Sequence, residues 1–220
     1  MTDRRPLLPE FRRLTGEERS AANRVAARAL RDDPLFVYLH GPDPIARQVA
    51  TYGFFRTAPV HRGGWWRRRP EAEVLPAPEV WGAVVGGHVI GSAAAAQPGA
   101  CFVDVLPEVA RRAPLGPEGL PGSSDRLTRV LASLAEHHCE ERHWHVGPVG
   151  VEPGLQGRGV GAAVMGLLCA AMDAEGEIAF LETETPQNVV FYRRLGFEVV
   201  GEAHLTGLDT WFMRRHPRIR

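Results

Sequence analysis

The chain has 220 residues, 26 acidic against 26 basic side chains and therefore no formal net charge, with 44% hydrophobic residues. That length can bury a single sizeable core, so one domain spanning 1–220 is expected. Balanced charge gives no reason to expect nucleic acid or an anionic membrane as a partner. No apolar run is long enough to span a bilayer.

In chain order, residues 8–14 read as a first strand. Thr15 to Glu18 has the capping-box spacing and opens a helix to about Leu30. A second helical region runs from Pro44 to Val60. Val80–Val85 and Val89–Ala95 are apolar runs separated by Gly86-Gly87-His88, a hairpin signal. Residues 97–125 are rich in Pro and Gly and read as a loop with at most one helical turn. Arg126–His138 reads as a helix capped near Ser124 or Asp125. A strand over Trp144–Val151, a helix over 158–174, a strand over Ile178–Thr183 and a helix opened by Thr185-Pro186 follow in β-α-β-α order. Gly196 is placed to end that last helix, and Glu198–Ala203 and Thr210–Met213 read as two closing strands. The class is mixed α/β.

The densest signal is Val149-Gly150-Val151 followed by Glu152-Pro153-Gly154 and then Gln156-Gly157-Arg158-Gly159-Val160-Gly161-Ala162. Alternate glycines just before a helix leave backbone amides uncovered at the positive end of its dipole, which makes an anion site suited to phosphate or pyrophosphate. The P-loop is excluded because the chain contains no lysine. A dinucleotide fingerprint starting at Gly157 with Ala162 in the sixth place is permitted by spacing. Farther on, Phe191 and Leu195 are four apart and face a core, whereas Asn188 and Tyr192, also four apart, share another stripe of the same helix and suit a ligand.

These two motifs resemble the GNAT superfamily of acetyl-CoA-dependent N-acetyltransferases. Gln156, Gly159 and Gly161 match its pyrophosphate loop, Val149, Val151 and Pro153 its preceding strand, and Asn188, Tyr192, Gly196 and Phe197 its later helix. Within the superfamily the sequence is most similar to the puromycin N-acetyltransferase-like branch, through His143, Trp144, Val146, Leu181-Glu182-Thr183, Asn188 and Phe191-Tyr192 over residues 143–202, and through Asp32-Asp33-Pro34-Leu35-Phe36. The position after Trp144, often Tyr in such proteins, is His145 here.

The resemblance implies a single-domain fold with a central, mostly antiparallel sheet, one splayed parallel strand pair and flanking helices. It implies acetyl-CoA as cosubstrate, held by Val149, Gly150, Val151, Gln156, Gly157, Arg158, Gly159, Val160, Gly161, Ala162, Asn188 and Tyr192. Tyr192 would be the general acid beside the thioester sulfur, and direct transfer in a ternary complex would leave Cys101, Cys139 and Cys169 outside the chemistry.

Glu182 and Glu184 share a strand face. Glu182 is a candidate acceptor for the proton of the attacking amine, whereas Glu184 reads as a solvated strand-end carboxylate. His137-His138 and His143-x-His145 invite a metal reading, and His143 and His145 share a face, yet spacing places no third ligand, and three widely spaced cysteines form no disulfide or metal framework, so no metal is expected. Arg67-Arg68-Arg69 after Trp65-Trp66 is too short a run to make a nucleic-acid face.

The expected activity is acetyl transfer to a primary amine of a small molecule, or of a protein or peptide, by a cytoplasmic monomer or homodimer whose polar N-terminus is no signal peptide. Two other readings compete: an acyl-CoA-binding regulatory module without catalysis, which would not need Tyr192, and a nucleotide-dependent oxidoreductase on a parallel sheet, which would need an acidic ribose contact about 20 residues after the loop.

Overall fold

The computed structural model describes residues 8–57, 77–101 and 122–218. Seven strands form one sheet in the order β1-β2-β3-β4-β5-β7-β6. They are β1 (Glu10–Arg13), β2 (Glu79–Val85), β3 (His88–Ala96), β4 (His143–Val151), β5 (Ile178–Thr183), β6 (Glu198–Leu205) and β7 (Leu208–Arg215). Every pairing is antiparallel except β4 with β5. This is the expected mixed sheet, and it removes the oxidoreductase reading, which requires a doubly wound parallel sheet.

Among the described residues six α-helices cover the sheet: α1 (Arg19–Ala29), α2 (Pro34–His40), α3 (Pro44–Thr57), α4 (Ser123–Ala135), α5 (Val160–Glu175) and α6 (Pro186–Arg194). On one face α5 and α6 pack over Ala93, Trp144, Val146, Leu181 and Met213. On the other, α1 to α4 bring Ala26, Phe36, Leu39, Phe55, Val130 and Leu134 over Phe180 and Phe212. Alternation along β4 divides its side chains accordingly: Trp144 joins the first cluster, while the flanking His143 and His145 lie beside Phe180 of the second.

Most element boundaries agree with the sequence pattern, and the departures have local causes. In the capping box only the Glu18 half forms as expected: its carboxylate accepts the Thr15 amide at 2.8 Å and also pairs with Arg12, and the helix begins after it. Helix α2 was not expected; Asp33 caps it by accepting the Leu35 amide at 3.0 Å, and Pro34 occupies the first turn. Helix α4 starts at Ser123 and stops at Ala135, which leaves His138 in the following loop rather than in the helix. The basic run at 67–69 and most of the 97–125 loop lie outside the described residues, as does the end of the expected helix beyond residue 57.

One irregularity opens the sheet. Strand β4 pairs with β3 along most of its length, but the register shifts between Ala93 and Ala95, opposite Gly147-Pro148. Such a bulge bends its strand, and a proline offers no amide to a neighbour. Pairing between β4 and β5 covers only His143–His145 against Ile178–Phe180. Beyond that point the two strands diverge.

Candidate active site

The divergence of β4 and β5 makes a cavity of about 170 Å³. Its walls are largely apolar, supplied by Phe36 and Leu39 of α2, Phe54 and Phe55 of α3, and Leu127, Val130, Leu131 and Leu134 of α4. Its polar lining comes from Asp33, His145, Glu182, Thr183, Glu184, Asn188 and Tyr192. Val149 reaches it from β4, so the strand that borders the cavity runs directly into the glycine-rich loop.

That loop begins with a 3₁₀ turn over Pro153–Leu155. Its entry is tied to α1, because Arg28 forms a two-pronged ion pair with Glu152. Gln156 is spent on structure: its amide nitrogen donates to the Val151 carbonyl at 3.1 Å. Gly157 and Gly159 sit at φ 74° and 82°, where a side chain would be strained. A Cβ at either would meet no atom within 4 Å, so open space lies over this stretch of backbone. Gly159 caps α5, whose first turn carries no acidic residue to offset the positive end of its dipole. At Gly161 a Cβ would lie 3.4 Å from Val151 and 3.7 Å from Phe191, so helix, strand end and α6 converge here. Arg158 and Ala162 are exposed, while Val160 and Val151 are half-buried. Gly150 is buried where α1 presses closest, 2.9 Å from Ala29 Cβ to the position of an added Cβ.

Tyr192 is fixed by the end of its own helix. The Phe197 amide donates to the Tyr192 carbonyl at 3.1 Å and the Gly196 amide to Arg193 at 3.0 Å, with Gly196 at φ 93°. This is a Schellman cap. The hydrophobic contact that accompanies it is the ring pair Tyr192–Phe197, with centroids 5.7 Å apart. Thus the glycine that ends the helix also aims the tyrosine. Asn188 lies one turn back and donates to Thr183 Oγ1 at 3.2 Å. Tyr192 lines the cavity and is also a buried member of the cluster against which Phe191 and Leu195 pack, so the two stripes of the helix are less separate than their spacing suggests.

Electrostatics divide the polar lining. Burial, reinforced by the charges of Asp33, Glu182 and Glu184, raises the Tyr192 hydroxyl above its ordinary range, so it keeps its proton at neutral pH. Burial alone would raise Glu182, but His145, 3.2–3.3 Å away, overrides it and holds the carboxyl below its usual value. Glu184 has no such partner in charge. Burial and the neighbouring Asp33 and Glu182 push it well above the ordinary carboxylate range. The expectation that Glu184 is merely solvated is therefore corrected: it is half-buried, just past the end of β5, and lines the cavity. Asp33 is raised too, mainly by burial.

A group that spacing did not assemble stands behind His145. Cys101, His138, His143 and His145 bring one donor atom each to within 4.8 Å of one another. Burial would raise the Cys101 thiol, but the three histidines facing it outweigh that and bring it down to about 5. His145, which burial would lower, is pushed up to about 10 by Glu182 and Cys101. The expectation of no metal rested on two donors with no third; the fold adds His138 from the α4 exit and Cys101 from the turn after β3. The sequence draws His138, His143 and His145 together by proximity, but no spacing connects Cys101 with them, and only the fold completes the set. Asp33 had a signal that went unused: Asp-Pro at a helix start.

Among known proteins, the family model for the acetyltransferase (GNAT) family matches residues 45–197. A Corynebacterium glutamicum protein described as histone acetyltransferase HPA2 and related acetyltransferase has 19% identity and a TM-score of 0.64, over 97% of this chain and 99% of its own. The Drosophila melanogaster polyamine N-acetyltransferase has 15% identity and a TM-score of 0.64, over 94% and 99%. A ribosomal-protein alanine N-acetyltransferase from Escherichia coli has 11% identity and a TM-score of 0.51, over 97% and 96%. At these identities the likeness is one of fold, and the three proteins act on acceptors as different as a polyamine and a protein.

Proposed function

The chain belongs to the acetyltransferase (GNAT) family, and from that premise we propose that it moves an acetyl group from acetyl-CoA to a primary amine on a small molecule with an apolar body. The observation that carries this reading is the cavity: three carboxylates, Asp33, Glu182 and Glu184, set among apolar walls, with Tyr192 on the same surface and the glycine-rich loop at the end of the same strand. A protonated amine has a pKa of about 10 and enters as a cation; carboxylates in an apolar cavity attract it, and the phenylalanines and leucines cover its body. A protein acceptor is less well supported, since these walls enclose rather than expose. The similarity of residues 143–202 to the puromycin N-acetyltransferase-like branch agrees with a small acceptor.

In this reading the open backbone of Gly157–Ala162 and the N-terminus of α5 hold the pyrophosphate, while Val149–Val151 and Asn188 hold the pantetheine arm. Glu182, kept ionised by His145, orients the ammonium. The better proton acceptor is Glu184, because its raised pKa gives it affinity for a proton near neutral pH; the base role first expected of Glu182 is thus shared. A backbone amide of Val149–Val151 stabilises the developing oxyanion. Tyr192, protonated at neutral pH, returns a proton to the departing thiolate.

A non-catalytic acyl-CoA sensor would have no use for a buried tyrosine beside three carboxylates. The deciding experiment mixes the chain with acetyl-CoA and a panel of amines, from polyamines to aromatic amines, and follows free thiol and acetylated product. Transfer to apolar monoamines is expected. Acetyl-CoA binding without thiol release on any amine would replace the enzyme with the sensor.

A further inference from the structure

We propose that Cys101, His138, His143 and His145 form a structural zinc site behind the acceptor cavity. Their donor atoms lie within 4.8 Å of one another. A tetrahedral Zn²⁺ with ordinary Zn–S and Zn–N bonds sets its donors roughly 3.3–3.6 Å apart, and Cys101 Sγ already lies 3.2 Å from His145 Nδ1. Small side-chain adjustments complete the set.

The protonation pattern points to a cation. His143 Nδ1 lies 2.6 Å from the Glu141 carbonyl, which can only accept, so Nδ1 carries the proton. Nε2 is then the nitrogen left to offer a lone pair to an ion. That atom is buried and has no hydrogen-bond partner among the described residues, in a residue only 4% exposed. His145 is held in a similar way: its Nε2 faces the Glu182 carboxylate, which leaves Nδ1 turned to Cys101 Sγ at 3.2 Å. Each strand histidine is thus held from outside by an oxygen acceptor, the way metal-bound imidazoles are oriented, through a carboxylate in one case and a backbone carbonyl in the other. Three imidazoles facing one buried sulfur make a donor set that a soft cation fills, and sulfur with imidazole favours zinc over harder cations. On binding, the proton shared between Cys101 Sγ and His145 Nδ1 passes to solvent, and Zn–S and Zn–N bonds form in place of that hydrogen bond.

The four donors come from the turn after β3, the loop after α4 and the start of β4. The ion therefore fastens α4, which supplies four leucine and valine side chains to the cavity wall, to the sheet. Four protein ligands leave no open position, which makes its role structural.

The test uses the full chain without a histidine tag. Elemental analysis should find about one zinc per chain. After chelation, added Co²⁺ should give the intense visible bands of tetrahedral coordination together with a sulfur-to-cobalt charge-transfer band. Cys101→Ser should abolish the charge-transfer band, and Glu182→Gln, which removes an outer hydrogen bond, should weaken zinc binding about 10–100-fold in a competition titration. Protein that folds with well under one equivalent of zinc and gives only the pale spectrum of hexaaqua cobalt would overturn the site, leaving a hydrogen-bonded thiolate and imidazolium. Should Cys101→Ser fail to fold, the cobalt spectrum of the unmutated chain still decides.

Discussion

The two ends of the site are built by opposite means. The end proposed for phosphate is backbone: a contiguous stretch, exposed, with glycines at positive φ and a helix dipole behind them. The acceptor end is side chain: carboxylates, imidazoles and a phenol, buried, brought together from α2, β4, the β5 exit and α6. A backbone site needs only the right turn, whereas a side-chain site needs the whole domain folded around it. The first can be carried between acceptors unchanged; the second sets the acceptor.

The sharpest way to break this comparison is at Tyr192. Tyr192→Phe keeps the ring pair with Phe197 and removes the proton donor. Turnover should fall by about 10²–10⁴-fold, the usual worth of general acid catalysis, while acetyl-CoA affinity by calorimetry stays put. Full turnover on an acceptor whose chemical step limits the rate would take the acid role away from Tyr192.

At the other end, Gly157→Asp puts a carboxylate into open space over the loop without touching another side chain. Loss of one charge-assisted hydrogen bond, about 1.5–3 kcal/mol, should weaken acetyl-CoA about 10–100-fold. The melting temperature without ligand should fall by about 2–8 °C, because any side chain at φ 74° is strained; a Gly157→Ala control carries the same strain without the charge, and unchanged affinity in Gly157→Asp would move the phosphates elsewhere.

Between the two ends stands Gly196. Gly196→Ala forces a side chain into the left-handed region at φ 93°, at a cost of about 1–2 kcal/mol. In a chain of this size that lowers Tm by about 2–8 °C. Because the cap also aims Tyr192, kcat should fall while KM for acetyl-CoA holds. A fall in Tm alone would make the cap structural only.

The smallest effect is a pH signature. Glu184 has a folded pKa raised by burial and by Asp33 and Glu182. Its folded form therefore favours the proton, and the associated stability is present below its unfolded value of about 4.3 and lost as pH rises through the raised value. Glu184→Gln should melt higher than the parent at pH 8 and equal it near pH 4, and its pH–rate profile should lose the acidic limb. Identical melting differences at both pH values would show that Glu184 is not perturbed by its surroundings.

How much of this was legible in the chain follows the same division. Gln156 to Ala162 announces itself because its chemistry lies in consecutive residues, and the Asn188–Tyr192 stripe because helical spacing is local. The strands, the hairpin turn at Gly86-Gly87 and the order of elements were legible for the same reason. The cavity roles of Asp33 and Glu184 and the approach of Cys101 to His138, His143 and His145 were not. Their roles depend on which loops meet across the open side of the sheet, and no period in the sequence encodes that. Gln156 adds a detail the pattern does not carry: its side-chain amide donates to Val151 and ties the loop to its own strand.

The parting of β4 and β5 has one more consequence. From Val146 to Val151 the second side of β4 has no neighbouring strand among the described residues, although the sheet continues beyond it. This is an unfinished edge in the interior of a sheet. A molecule that is extended, narrow and carries amides of its own can take that place and restore the ladder. A pantetheine arm has that form, and under the proposed function cosubstrate capture would amount to adding a strand. Amide hydrogen exchange along residues 146–151 should slow when acetyl-CoA binds, and CoA fragments lacking the two pantetheine amides should fail to protect it even where their phosphates still bind.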